Sequence, residues 1–519
     1  MLFTGKFSTN ASAHPKPAIQ KIRGCIHMRA SGILLPVSSI PSDYGIGCFS
    51  KEAYTFADQL ERAGQKYWQI LPLGPTGYGD SPYQAFSTFA GNPYFIDLEE
   101  LIKEGLLTKN ECCSCDWGGS QSYVDYGKVY MSRFPLLRKA YSRWNPSKDP
   151  DFAEFTKENS FWLEDYCLFT AIKNDQGGMC WSDWSEELRD RKSAAVKEAA
   201  VRLKDEVVFW EFLQYKFFTQ WTKLKAYVNK KGIKIIGDVP IYVAADSADA
   251  WANPLQFQFD EEHKPKAVAG CPPDAFSATG QLWGNPLYDW KYHKKTGYEW
   301  WIQRMKHSMK LYDVVRIDHF RGFDEYYAIP YGHKTAELGK WEKGPGIELF
   351  DALREALGEL DVIAEDLGYL TDSVRELLKE SGFPGMKILQ FAYDGGENSA
   401  YLTYKYDKNC VVYTGTHDNE TTRGWYHSLN DHDRWFAKSY MGCLNQSEED
   451  CVWAMIRTAF SSVADLALIP IQDYLFLGNE ARMNAPATFG DNWKWRLTKG
   501  QISDHLLGRI RELTRLYGR

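Results

Sequence analysis

The chain has 519 residues, of which 44% are hydrophobic and 25% charged, and its formal net charge is -7. These proportions are typical of a globular protein and exclude a disordered or collagen-like chain. The mild acidity argues against a nucleic-acid partner, and no apolar run reaches the roughly 18 residues of a membrane-spanning helix. Aromatic residues make up 15% of the chain. Most of them fit a large aromatic core, and some could stack on the flat apolar faces of sugar rings.

The cysteines predict a reducing environment. There are 11 of them, an odd number spread through a long chain, which is typical of free thiols in a cytosolic protein. Cys112, Cys113 and Cys115 cluster, but no second Cys or His pair stands at zinc-site spacing. A surface loop is therefore favoured over a metal site, and we predict neither a metal nor a cofactor.

The N-terminal segment differs in composition from the rest. The first 42 residues contain no Asp or Glu, and residues 1–28 are predicted to be a poorly ordered leader or extension. A remnant of an organelle transit peptide and an overlong start both fit this composition. The second is favoured because Met28 stands just before the first strand-like run. The predicted compartment is the cytoplasm, or a plastid if the leader is a transit remnant.

Eight short, almost continuous apolar runs follow, and such runs are typical of strands buried on both faces of a parallel sheet. They span residues 32–36, 67–73, 233–238, 314–318, 361–366, 386–391, 411–416 and 466–471. Helix-like stretches lie between many of them, at 50–63, 207–229, 348–357 and 371–381. Eight strands alternating with helices predict an α/β fold, the (β/α)8 or TIM barrel, over residues 29–519.

Two spacings between these runs are too long for a single crossover. The first predicts a mainly helical insertion at about 100–210, with helices at 151–171 and 186–205. The second, at about 245–295, is rich in Pro, Gly and aromatic residues and predicts a long cleft loop. Insertions after barrel strands lie on the catalytic face. The helix-like stretch 503–517 follows the eighth run closely, so no C-terminal β-sandwich is expected.

Acids follow four of the predicted strands. Asp238, Asp318 and Glu365 close the third, fourth and fifth, and Asp418 follows the seventh. One Asp at a strand end is most simply a helix cap, but four at the same end of a barrel point into one pocket. Close carboxylates raise the pKa of at least one of them, which gives a neutral acid beside an anion. Cleavage of a glycosidic bond requires that pair.

Two neighbours strengthen this interpretation. Arg316 stands two residues before Asp318, so both side chains face the same side of a strand, and an Arg keeps a neighbouring carboxylate ionised. A structural ion pair inside the barrel is the alternative. His417 could bind a sugar hydroxyl, or it could be a hydrogen-bonded core histidine.

Several motifs resemble one enzyme family. Residues 315–322 (VRIDHFRG), 363–368 (IAEDLG) and 416–419 (THDN) are similar to signature regions of the α-amylase clan. Residues 73–84, 272–285 and 482–486 resemble more narrowly the 4-α-glucanotransferases, or amylomaltases, of glycoside hydrolase family 77. The resemblance extends from about residue 30 to the C-terminus. The third strand lacks the His that amylases place after it, which also favours this branch, whereas residues 484–488 have Ala where the family pattern has Gly.

The resemblance implies catalytic roles for three residues. Asp318 would be the nucleophile that forms a covalent glucosyl-enzyme, and Glu365 would be the general acid and then the general base. Asp418 would hold the hydroxyls of the donor sugar and stabilise its distorted state. The implied substrates are α-1,4-glucans and maltooligosaccharides, with glucose as an acceptor, on a monomer or homodimer.

The resemblance also implies a set of substrate-binding residues, contributed by several loops. They are Ser81, Tyr83, Asp274, Phe276, Gln281, Trp283, Arg316, Asp394, His417 and Asn484.

Other functions remain as alternatives. A hydrolase would use the same carboxylates with water as the acceptor, and a glucan-binding module would bind without turnover. The intact carboxylate set argues against the module. The glycines at 74, 77 and 79 have neither a G-x-G-x-x-G order nor a Gly-Lys-Ser/Thr ending, which argues against a nucleotide loop.

Overall fold

The computed structural model describes residues 29–77, 79–273, 277–368, 370–488 and 490–519. The predicted leader, residues 1–28, lies outside this part of the chain. So do two predicted binding residues, Asp274 and Phe276.

Eight parallel strands form one sheet that is almost closed into a barrel. They are β1 (Ala30–Leu34), β2 (Tyr67–Gln69), β3 (Lys234–Val239), β6 (Val314–Ile317), β9 (Val362–Ala364), β10 (Gly385–Ile388), β11 (Cys410–Tyr413) and β12 (Leu466–Pro470). The sheet order is β10-β11-β12-β1-β2-β3-β6-β9. Its two ends meet where the amide of Ala364 donates a hydrogen bond to the carbonyl of Pro384 at 3.0 Å. The predicted eight strands and the barrel are confirmed.

Four further strands of the described residues form a separate antiparallel sheet. They are β4 (Ala267–Cys271), β5 (Gln281–Pro286), β7 (Glu325–Pro330) and β8 (Lys340–Lys343), in the order β5-β4-β7-β8. Two of them lie inside the segment predicted as a long loop, so that description was wrong. Gly270 and Gly284 interrupt the apolar pattern there, and β4 pairs with β7, which is distant in the sequence.

Helices cover the barrel and fill the insertion. They are α1 (Lys51–Arg62), α2 (Leu98–Lys103), α3 (Lys109–Cys113), α4 (Tyr126–Arg143), α5 (Pro150–Glu158), α6 (Ser160–Asp175), α7 (Glu186–Arg189), α8 (Ser193–Arg202), α9 (Lys204–Lys230), α10 (Ala248–Ala252), α11 (Trp290–Lys295), α12 (Glu299–Leu311), α13 (Ile347–Leu357), α14 (Asp372–Ser381), α15 (Thr422–Ser428), α16 (Asp431–Tyr440), α17 (Glu448–Ser461), α18 (Ile471–Tyr474) and α19 (Asp504–Leu516). None of the helices in the described ranges is long and apolar enough to cross a membrane.

The predicted helices are mostly present, but two of them are divided. The stretch 151–171 breaks between α5 and α6, where Asn159 has φ -105° and ψ 7° and caps both helices. The stretch 186–205 breaks between α7 and α8, where Arg191 has a positive φ of 54°, and again between α8 and α9 at Leu203. Helix-like composition continues across these three breaks, so the pattern alone does not show them.

Gly237 allows the close contact between β3 and the end of α12. A Cβ atom at this position would lie 2.1 Å from the ring of Tyr312. Gly237→Ala should therefore cost about 1–3 kcal/mol of unfolding free energy, as overpacking usually does. It should also lower turnover, because the next residue is Asp238. Chemical denaturation and initial rates would test this, with Gly508→Ala, which has nothing within 4 Å of its Cβ position, as the control.

Candidate active site

The strand ends bring the four predicted acids to one face of the barrel. Asp238 lies in β3 one residue before its end, whereas Asp318 and Glu365 follow β6 and β9 directly. Asp418 lies in the loop between β11 and α15. Because all eight strands are parallel, their carboxyl ends share one edge, where barrel enzymes place their catalytic groups.

Arg316 joins two of these acids. Its Nη1 lies 2.8 and 2.7 Å from the two carboxylate oxygens of Asp238 and 3.0 Å from Oδ1 of Asp318. Burial alone would lower the pKa of Arg316, but Asp238 and Asp318 raise it well above its ordinary value. The side chain of Asp318 is 29% exposed, whereas that of Asp238 is fully buried. Arg316 thus places its positive charge against a carboxyl group at the cleft surface.

Asp238 is a site residue that the predicted binding set did not include. It pairs with Arg316 in the register between β3 and β6, and it also accepts a hydrogen bond of 2.9 Å from the hydroxyl of Tyr83. Asp238 therefore connects the loop after β2 to Arg316 and positions both. Its place at a strand end was visible in the sequence, but its pairing with Arg316 depends on the register of two strands far apart in the chain.

Glu365 is held differently from Asp318. Its Oε2 accepts the amide of His319 at 2.7 Å, and its Oε1 accepts the amide of Leu367 at 2.8 Å. No Lys, Arg or His of the described chain forms an ion pair with it. Burial and the nearby Asp318 raise the pKa of Glu365 from 4.5 to about 7, against the effect of these amides and Arg316. The site thus contains one acid that holds its proton near neutrality.

This raised pKa predicts a pH dependence. A general acid works only when protonated, so kcat/KM for an unactivated glucan donor should fall above pH 7, approaching tenfold per pH unit. A donor with a good leaving group does not require the proton in the first step and should show a weaker decline. Initial rates with both donors between pH 5 and 9 would test this. A plateau that extends past pH 9 for the unactivated donor would contradict it.

Asp418 belongs to a second polar group in the cleft. Its Oδ2 lies 3.3 Å from Nε2 of His417, and its Oδ1 accepts a 2.6 Å hydrogen bond from Nδ2 of Asn484. Burial would raise the pKa of Asp418, but His417 and Asn484 lower it to about 2. For His417, burial acts to lower the pKa, and Asp418 reverses this and raises it. Asp418 is therefore held as an anion with a fixed orientation.

Aromatic rings line the cleft beside His417. The ring of Tyr83 stacks on His417 with centroids 5.1 Å apart and an angle of 19°, and Trp493 lies 5.8 Å from Tyr83. Ser81 accepts the amide of Tyr83 at 3.3 Å and so shapes this loop. Trp493 was not predicted as a cleft residue, because no sequence motif marks it and it lies after the eighth strand.

The remaining predicted binding residues that the structure describes differ in their surroundings. Gln281 and Trp283 stand on β5, where Oε1 of Gln281 accepts the indole N–H at 3.1 Å. The indole of Trp283 is perpendicular to the ring of His319 at 4.8 Å, which places it beside the residue that follows Asp318. Asp394 is exposed after β10 and forms no hydrogen bond or ion pair with the described residues.

Within the described residues no cluster of three or more side chains occurs that could hold a metal ion.

A barrel whose cleft combines an ion-paired carboxyl group with a second one whose pKa is raised to about 7 is the architecture of enzymes that cleave or transfer glycosidic bonds. The family model described as 4-alpha-glucanotransferase, glycoside hydrolase family 77, matches residues 35–502. The chain therefore belongs to this family, and the identification from the motifs is confirmed. The prediction that the protein is an enzyme and not a binding module is confirmed as well.

Individual relatives agree over almost the whole chain. The 4-alpha-glucanotransferase of Clostridium butyricum is 50% identical over 93% of this chain and 99% of its own length. The chloroplastic/amyloplastic 4-alpha-glucanotransferase of Arabidopsis thaliana is 42% identical over 95% of this chain and 86% of its own. The amylomaltase from Streptococcus agalactiae, solved in complex with acarbose, superposes with a TM-score of 0.91 at 40% identity, covering 95% of this chain and 99% of that one.

Proposed function

We propose that the protein transfers α-1,4-glucan segments from a donor to the 4-hydroxyl of glucose or of a maltooligosaccharide, in starch, glycogen or maltodextrin metabolism. The family and the names of the relatives support the activity. The observation that carries the chemistry is the contrast between Asp318, which is ion-paired with Arg316, and Glu365, whose pKa is raised to about 7.

In the first step, a carboxylate oxygen of Asp318 attacks the anomeric carbon of the donor sugar. The bond from that carbon to the glycosidic oxygen breaks, and Glu365 gives its proton to the departing oxygen. The product is a β-linked glucosyl ester on Asp318 and a free reducing-side fragment. Glu365 is left as a carboxylate, which accepts hydrogen bonds from the amides of His319 and Leu367.

In the second step, the acceptor 4-hydroxyl attacks the same carbon from the opposite face. Glu365 removes its proton as the ester bond to Asp318 breaks. Two inversions restore the α-configuration. Asp418, with His417 and Asn484, would hold hydroxyls of the donor sugar and offset the positive charge that develops on its ring. Further sugar contacts would come from Ser81, Tyr83, Gln281 and Asp394, and from Asp274 and Phe276, which lie outside the described residues.

Incubation with maltotriose tests the proposed function directly. A transferase should produce glucose and a ladder of longer maltooligosaccharides while the total of reducing ends stays nearly constant. Separation of the products by size and a reducing-end assay on the same samples would measure both quantities. A steady increase in reducing ends with only shorter products would identify an α-glucan hydrolase instead.

Trp283 should influence the choice between water and sugar as the acceptor. Water is present at about 55 M, so an acceptor sugar competes only if it is bound in position and water is kept out. Trp283→Ala should raise the ratio of hydrolysis to transfer several-fold. The same two assays measure this ratio, and Trp435→Ala, which removes an indole whose ring contacts His432 on α16, is the matched control. An unchanged ratio would rule out this role for Trp283.

We also propose that the enzyme works in a reducing compartment. None of the cysteines in the described ranges forms a disulfide. The cytoplasm fits this observation, and the name of the Arabidopsis relative keeps the plastid as the alternative. Fractionation of the source cells, followed by the maltotriose assay on each fraction, would distinguish the two.

A further inference from the structure

The loop that carries His417 and Asp418 has no regular secondary structure. It extends from Thr414, directly after β11, to Thr422, the first residue of α15. Within the loop, the side chain of Asn419 accepts the amide and the hydroxyl of Thr416, each at 2.8 Å. These short-range bonds shape the turn, but they do not fix it relative to the barrel.

A buried acid after the eighth strand connects both ends of this loop. Asp473 lies in α18, and its Oδ2 accepts the hydroxyls of Thr414 and Thr422, each at 2.6 Å. Its Oδ1 accepts the amide of Thr422 at 2.7 Å. All three residues are at most 1% exposed. One carboxyl group therefore closes the loop at its first and last residues.

Asp473 has no charged partner, which separates it from the ion-paired acids of the cleft. In the described structure no Lys, Arg or His forms an ion pair with it, so its three hydrogen bonds are what compensates its burial. The two oxygens of Asp473 accept these three bonds at 2.6–2.7 Å, and their geometry restricts both ends of the loop. A rigid closure of the loop is the consequence.

The residue before Asp473 contacts the segment that leads to Asn484, the second partner of the Asp418 carboxylate. Nε2 of Gln472 donates to the carbonyl of Ala481 at 3.2 Å. Ala481 precedes the segment in which Asn484 donates to Asp418, and the amide of Asn484 also donates to the carbonyl of His417 at 3.1 Å. Two consecutive residues after β12 therefore anchor both segments that contact the Asp418 carboxylate.

We propose that Asp473 is a positioning residue for catalysis, which fixes the loop 414–422 so that Asp418 meets the donor sugar in its productive orientation. The inference rests on the role proposed above for Asp418. A displacement of about 1 Å at a reacting group can cost on the order of 100-fold in rate. Loosening the loop should thus lower kcat much more than it changes KM.

Two variants loosen the loop in different ways. Asp473→Asn keeps the size of the side chain but replaces one acceptor oxygen with an amide donor. Thr422→Val keeps the shape of the threonine but removes its hydroxyl. With maltosyl fluoride as the donor and glucose as the acceptor, each should lower kcat about 10- to 100-fold and change KM by less than about threefold.

A double-mutant cycle tests whether the effect passes through Asp418. Each variant is made alone and together with Asp418→Ala. If Asp473 acts by orienting Asp418, its substitution should have almost no further effect, less than about twofold, once the Asp418 carboxylate is gone. An equal loss in both backgrounds, or normal kcat in the single variants, would overturn the inference. Asp97→Asn, at a buried acid that caps α2 outside the cleft, is the control and should leave kcat unchanged.

The cycle also separates this inference from the proposed function. If Asp418→Ala alone retains near-normal turnover, the role of Asp418 fails, and the inference fails with it. If Asp418→Ala is nearly inactive but the losses are additive, only the inference is overturned. Circular dichroism and thermal unfolding identify variants that do not fold. Should Asp473→Asn be one of them, Thr422→Val decides the outcome.

Discussion

Asp318→Asn is expected to reduce glucan transfer by about four to six orders of magnitude, the loss that follows removal of a catalytic nucleophile. An amide is uncharged and a poor nucleophile, so no covalent glucosyl-enzyme can form. The fold should persist, because Nη1 of Arg316 keeps both of its contacts with Asp238 when Asp318 is changed. Glucan binding should therefore remain measurable while turnover is lost.

A matched substitution next to the same strand provides the control. Asp313 precedes β6 at the opposite end of the barrel, where it accepts hydrogen bonds from Asn229 and the amide of Ile235. Asp313→Asn should reduce stability slightly and leave turnover within a few-fold of normal. The measurements are initial rates and binding of maltoheptaose by calorimetry. Near-normal turnover by Asp318→Asn would refute its assignment as the nucleophile.

The barrel could be predicted because its signal is local. Each strand is a short apolar run, and the residue after the run is an acid in three cases, so the composition of a few consecutive residues identified Asp318 and Glu365 as neighbours on one face. The four-stranded sheet could not be predicted in this way. The pairing of β4 with β7 joins residues about 60 positions apart in sequence, and nothing in either segment specifies its partner.

The same distinction applies to the site. The sequence predicted Arg316 beside Asp318, because two residues on one strand face the same side. It did not predict that Arg316 would contact Asp238, which depends on the register of β3 against β6. Trp493 and Asp473 were not predicted for a similar reason, because each contacts a loop that follows a different strand. The roles of the predicted binding residues stay predictions.

Glu365→Gln should produce a loss that depends on the leaving group. With maltotriose as the donor, the departing oxygen requires a proton, and turnover should fall by about 10²–10⁴-fold, the usual contribution of general acid catalysis. With maltosyl fluoride, departure of fluoride needs little assistance, so the first step should be slowed much less. Azide, which attacks without a general base, should then restore turnover and yield the α-maltosyl azide, because Asp318 still forms the intermediate.

The same substitution should change stability with pH. In the folded protein the pKa of Glu365 is about 7 against an ordinary value of 4.5, so the folded state binds this proton more tightly than the unfolded chain. Stability is therefore lost as the pH rises from about 4.5 to about 7, and above this range an ionised Glu365 destabilises the fold. Glutamine removes that dependence. We therefore expect the Tm of Glu365→Gln, relative to that of the unmodified protein, to be higher at pH 8 than at pH 5. An equal Tm difference at pH 5 and pH 8 would show that folding does not raise the pKa of Glu365. The assignment of Glu365 as the general acid would then lose its physical basis.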